Sequence, residues 1–230
     1  MSRWLDEVVK RAVNALQDKG SAERAAGAFA YMKGVAPFLG VATPDRRRLL
    51  KAAWSGLPSP TSDELGEAAL ALTRLAEREY HYAAYDLIAR YVQFADADFL
   101  RKYVQPLLLQ TPWWDTVDGL GNAAVSPLCR KFDSAGLIDE WSSSGNIWLI
   151  RAAIQHQRGA RSETDVPRVL ALCDVHWANR EFFVAKAIGW ALRDLTAIQR
   201  EAVVDFLAAH AATRNAVAER EARTGLNRTS

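Results

Sequence analysis

The six residues Trp113-Trp114-Asp115-Thr116-Val117-Asp118 put two adjacent indoles and two carboxylates into one short stretch. A helix surface needs neither charge nor bare aromatic area in order to fold, so this combination is a costly choice unless it meets a ligand. Trp114 and Asp118 stand four residues apart and share a helix face, whereas Asp115 points away from it. A carboxylate beside an electron-rich ring is suited to stabilising positive charge that develops in a reaction, and to orienting an attacking water.

The chain around this stretch has 230 residues, 50% of them hydrophobic and 24% charged, which suffices for one elongated domain or two small ones. A formal net charge of only +2 means that any nucleic-acid binding must come from how Lys and Arg are distributed. Cys129 and Cys173 are isolated, and His81, His156, His176 and His210 are scattered, so the sequence predicts neither a disulfide nor a metal or other cofactor. No apolar run reaches the roughly 20 residues that span a bilayer, and the N-terminus has no leader-like apolar stretch. A cytoplasmic, monomeric protein with no membrane partner is expected.

Helical spacing dominates the chain. Trp4, Leu5, Val8, Val9, Ala12, Val13 and Leu16 form one apolar stripe, and Ser21 opens a second helix toward Met32. Thr43 before Pro44 is expected to cap a third, which carries the basic run Arg46-Arg47-Arg48 and ends near Trp54. Thr61 to Glu64 fits a capping box, and further helices are predicted over residues 79–91 and 96–109, the latter kinked at Pro106. Residues 113–132 follow, interrupted near Gly119 to Pro127. Then come a short helix around Leu137, helices over 146–157, 167–176 and 181–195, and one or two more from Ile198 to Arg223. No alternating strand pattern occurs, so the chain is all-α.

Superimposing Glu79 to Ala84, Trp148 to Ala153 and Phe183 to Ile188 equates Tyr82, Arg151 and Lys186, and the same column lands on Arg47 and Val117. Successive separations are about 35, 35, 34 and 35 residues, the period of a helix-pair solenoid. This predicts a single domain, 1–230, built as a right-handed α-solenoid of antiparallel helix pairs with a concave face. Counted from the column, Trp114 lies at minus three, Arg151 at zero, Asp118 at plus one and Trp190 at plus four, within about 100° of one helical face. Arg47, Tyr82, Asp86 and Lys186 share that arc, and Asp115 falls outside it.

Each feature has a plainer alternative. A lone helical Trp is most often core, Asp118 and Arg151 could form a structural ion pair, and Arg46 to Arg48 could be a solvated face. Gly119-Leu120-Gly121-Asn122-Ala123-Ala124 matches the dinucleotide-binding Gly-x-Gly-x-x-Ala pattern, but that fingerprint needs a preceding strand and this stretch follows a helix.

Four segments together resemble the bacterial AlkD-like DNA alkylation-repair glycosylases, which are built from HEAT-like repeats. They are Tyr31-Met32-Lys33 with Phe38-Leu39-Gly40 and Thr43 to Arg47; Trp113 to Asp118; Asn146 to Ala153; and Phe182-Phe183 with Lys186 to Trp190 and Leu192-Arg193. The likeness runs from about Ala25 to Asp194. It departs at Thr116, where Ser is common, at Pro106 within a helix, and over the tail after about Ala197.

The resemblance implies that Trp114, Asp118, Arg151 and Trp190 face a lesion, with Tyr31 close by. It implies duplex DNA containing alkylated bases as the partner, and no pocket that buries the damaged base. An N3- or N7-alkylated purine is already a cationic leaving group, so the remaining task is to stabilise the sugar cation. Asp118 would do so electrostatically, and Trp114 and Trp190 by their ring faces. Arg151 would hold a backbone phosphate, while Arg47, Arg48, Lys186 and Arg193 would add contacts to the DNA backbone. The alternative from another class is a non-catalytic helical-repeat protein that binds distorted DNA or a protein partner.

Overall fold

The computed structural model describes residues 3–228, and no strand occurs among them. The chain divides into two compact units, one ending at Ala124 and the other beginning at Val125. The first holds α1 (Arg3–Leu16), α2 (Ala22–Tyr31), α3 (Thr43–Ala53), α4 (Ser62–Leu72), α5 (Arg78–Tyr91), α6 (Gln105–Gln110) and α7 (Trp114–Leu120). The second holds α8 (Ser126–Lys131), α9 (Ala135–Ser143), α10 (Ile147–Ile154), α11 (Val166–Val175), α12 (Phe182–Leu195), α13 (Arg200–Ala209) and α14 (Ala216–Arg228). Short connections such as 73–77 between α4 and α5 and 144–146 between α9 and α10 fold neighbours back on one another as HEAT-like helix pairs. The fold is all-α, of the α-solenoid class.

Period and capping explain most element boundaries. In α1 the residues Leu5, Val8, Ala12 and Leu16 are buried at helical spacing, and the Trp54 indole closes over them, donating to the Val8 carbonyl at 3.2 Å. Each fully buried Leu contributes about 2 kcal/mol through the apolar area it removes from water. The Thr61–Glu64 capping box is present in both directions, and Ser21 and Asn146 cap α2 and α10 with their side chains. In the second unit Ile150 and Ile154 of α10, Val184, Ile188 and Leu192 of α12, Phe206 of α13 and Ala222 of α14 form one core.

One expectation is corrected. Thr43 is the first helical residue of α3, not its cap: Ala42 precedes it with no side-chain bond, and Pro44 and Asp45 favour the first turn instead. At Pro106, where the sequence predicts a kink, the distortion takes a defined form. The backbone widens to a π turn over Leu100–Val104, and the Gln105 amide bonds back to the Leu100 carbonyl. That extra width gives the proline ring room beside a carbonyl it would otherwise strike. The same device recurs at Gly121–Val125, ahead of Pro127.

Both cysteines are free thiols. Cys173 is wholly buried in the second core and burial pushes its thiol far up, while burial pushes the Cys129 thiol up to about 11.

Candidate functional site

In the first unit α7 begins at Trp114, directly after the extended Trp113. Thr116, Val117 and Leu120 are buried, and Trp114 and Asp118 lie one turn apart on the half-buried side. Tyr31, the last residue of α2, is 72% exposed and presents its ring edge-on to Trp114, with centroids 6.3 Å apart and planes at 84°. Tyr31 and Trp114, both of which the family resemblance places near a lesion, are thus in ring contact.

Asp115 points the other way, into α5. Arg78 forks onto it, Nη2 donating to Oδ1 at 2.6 Å and Nε to Oδ2 at 3.2 Å, and the Tyr82 hydroxyl donates to Oδ2 at 2.6 Å. Arg78 is 1% exposed; its Nη2 also reaches the Thr116 hydroxyl at 2.6 Å, and its Nη1 meets His81 Nδ1 at 3.0 Å. Burial and the Asp115 charge push the Tyr82 phenol up, keeping it a donor. Gly119 lets α7 lie against the Tyr85 ring, since a Cβ there would come within 2.6 Å of it.

The basic run on α3 splits. Arg47 and Arg48 extend 67% and 70% of their side-chain surface into solvent, near Asp86 and Asp45 respectively. Arg46 is buried, pairs with Asp86 at 3.0 Å and lies over the Tyr82 ring. A cleft of about 380 Å³ opens between Arg46, Arg47, Tyr82, Asp86, Asp115 and Asn122.

In the second unit the residues gather round Trp190, with Arg158, Arg151, Lys186 and Arg193 at 4.9, 5.0, 5.5 and 5.7 Å from its ring centroid. Arg151 is 1% exposed and donates through Nη1 to the Phe183 carbonyl at 2.7 Å. The guanidinium thus lies against the Trp190 ring and donates to the main chain at the start of α12. Lys186 and Arg193 both bind Glu221 of α14, at 2.6 and 3.0 Å. The Lys186 ammonium holds the Glu221 carboxyl below the usual carboxylate range. Beside Trp190 lies a cleft of about 830 Å³ with an apolar floor of Ile154, Val169 and Leu195 and with Arg158, Arg161 and Asp194 around it. Burial raises the pKa of Asp194.

The predicted site residues thus fall into two groups: Tyr31, Arg47, Arg48, Trp114 and Asp118 in the first unit, and Arg151, Lys186, Trp190 and Arg193 in the second. The sequence reading missed Arg78, Glu79, Arg158 and Glu221. Glu221 was within its reach, because it stands 35 residues beyond Lys186, one further step of the same period. Arg78 and Glu79 gave only the weak signal of two opposite charges at the start of an aromatic-rich helix. Among the described residues no group of His, Cys, Asp and Glu is placed to hold a metal, and no helix is long and apolar enough to cross a membrane.

HEAT-like helix pairs, with exposed arginines on α3 and a half-buried Trp–Asp face on α7, define a helical-repeat protein. The family model for DNA alkylation repair enzymes matches residues 12–226, and the chain belongs to that family. The solved structure of a predicted DNA alkylation repair enzyme from Enterococcus faecalis is similar, with a TM-score of 0.82 and 26% sequence identity. The match covers 90% of this chain and 96% of that one. No curated protein matches the sequence.

Proposed function

We propose that this protein is a monofunctional DNA glycosylase that excises cationic N3- or N7-alkylated purines, such as 3-methyladenine and 7-methylguanine, from duplex DNA. The observation that carries this reading is the α7 face, where Trp114 and Asp118 sit one turn apart and Tyr31 meets the Trp114 ring. In the reaction the C1′–N bond breaks and its electron pair leaves with the base, neutralising the purine's charge. Asp118 faces the resulting sugar cation, stabilises it electrostatically and orients the water whose oxygen bonds to C1′. The water's proton passes to Asp118 or to solvent. The ring face of Trp114 packs against deoxyribose and favours the cation by on the order of 1 kcal/mol, with Tyr31 against that ring.

Arg47 and Arg48 supply phosphate contacts from α3, where their exposure suits them to it. Lys186 and Arg193 do so from α12. Arg151 works through Trp190, whose ring and helix it holds, and the Trp190 ring in turn gathers the cations around it.

The deciding assay is release of free 3-methyladenine or 7-methylguanine from methylated duplex DNA. Tight, salt-sensitive binding with no base released would instead establish the non-catalytic DNA-binding alternative.

A further inference from the structure

Helix α2 has no buried residue of its own, although it carries Tyr31 to the Trp114 ring. Core packing along its length therefore cannot fix where that ring stands. Its ends are tied instead. Met32, just beyond the helix, is buried, and the Ser21 amide bonds the Gly40 carbonyl at 3.2 Å. The segment that returns from α2 closes on a single carboxylate: Glu79 accepts from the backbone amides of Leu39, Gly40 and Val41 at 2.9, 2.8 and 3.0 Å. Gly40 has φ +83°, and a Cβ there would lie 2.1 Å from the Ser21 carbonyl oxygen, so the segment sits hard against the start of α2.

The neighbouring residue secures the other half. Arg78 grips Asp115 and Thr116, the second and third residues of α7, and the Arg78 amide itself bonds the Pro37 carbonyl at 2.9 Å. Its Nη1 meets His81 Nδ1 at 3.0 Å, and the other ring nitrogen of His81 meets the Leu75 carbonyl at 2.8 Å. A helix held by two adjacent side chains on one flank cannot rotate about its axis, so the opposite flank, bearing Trp114 and Asp118, is fixed as well. Arg78 and Glu79 are both about fully buried, at 1% and 2% exposure, and neither is needed merely to fill space.

We infer that Arg78 and Glu79, adjacent at the start of α5, are positioning residues that set the Tyr31–Trp114–Asp118 geometry from its two sides. The inference rests on the glycosylase reading only for its kinetic consequence; the placement of Trp114 stands on its own. Arg78→Lys keeps the charge and loses the fork, and Tyr82→Phe removes one bond to Asp115 without uncovering any charge.

The test measures single-turnover excision at saturating enzyme, affinity for unmodified duplex, thermal melting, and the ¹⁹F resonance of Trp114 in 5-fluorotryptophan-labelled protein, assigned with Trp114→Phe. For Arg78→Lys the rate constant should fall about 10-fold to 100-fold, because a displacement near 1 Å costs that much, with duplex affinity within about twofold. Tyr82→Phe should show a smaller loss in the same direction. In both variants the Trp114 resonance should shift or broaden at temperatures far below the melt. A purely stabilising role would lower the melting temperature and leave the folded-state rate and the resonance unchanged, and that result overturns the inference. If the wild type releases no base, the glycosylase reading fails alone, and an unmoved Trp114 resonance in folded Arg78→Lys or Tyr82→Phe still decides against positioning.

Discussion

Lys186 and Glu221 stand 35 residues apart, one repeat step, and meet at 2.6 Å between α12 and α14. The carboxylate that neutralises Lys186 also binds Arg193, so a single acid from the last helix holds two cations that the family resemblance assigns to DNA. Glu221→Gln should release both. The log–log salt slope for unmodified duplex should then steepen by about one to two units and affinity at low salt should rise several-fold. An unchanged slope would mean that neither cation reaches a phosphate.

Arg47 and Arg48 need no such release, being mostly exposed. Replacing either with Ala should flatten the salt slope by about one unit and the double variant by about two, with little change in stability. Filter binding or fluorescence anisotropy across a salt series would read this, and salt-insensitive binding in the wild type would contradict it.

Asp118 and Asp115 separate chemistry from support. Asp118→Asn removes the charge that faces the sugar cation, so excision should fall by about 10-fold to 1000-fold. Asp115→Asn strands the buried Arg78 guanidinium and should cost about 3 kcal/mol of stability. Equal excision by Asp118→Asn and wild type would sink the mechanism. An undiminished melt in Asp115→Asn would sink the account of the Arg78 network.

His156 is buried in the second unit, with Nδ1 at the Ala153 carbonyl and Nε2 at the Gln157 side chain. Burial lowers its pKa from 6.5 to about 4. Between these values the unfolded chain binds a proton that the folded chain refuses. Stability should accordingly be full above pH 6.5 and decline as pH falls, by up to about 3 kcal/mol from this group at pH 4. His81 and His176 are shifted in the same direction. Urea midpoints for wild type and His156→Gln at pH 7.5 and 5 would isolate the effect, and parallel pH dependences would count against it.

Much of the fold was legible in the sequence because its signals are local. Apolar period, the Thr61–Glu64 box and the Ser21 and Asn146 caps each act within one turn of helix. The 35-residue step was also visible, and carrying it once further would have reached Glu221. Arg78, Arg46 and Arg151 were less legible, since nothing in a charged side chain's identity says that it is buried. Their burial depends on partners 37, 40 and 32 residues away. The π turns were missed for a different reason: proline announces that a helical bond is absent, but not which distortion makes room for the ring.

The two thiols carry a consequence for a protein of this family. Purine nitrogens and cysteine sulfur are attacked by the same soft electrophiles, and a thiol reacts as its thiolate. Cys173 is sealed in the core, and Cys129, half-buried with its thiol pushed up to about 11, stays protonated at neutral pH. The enzyme thus keeps its own nucleophiles out of the chemistry that damages its substrate, and native protein treated with iodoacetamide should remain essentially unlabelled until it is unfolded.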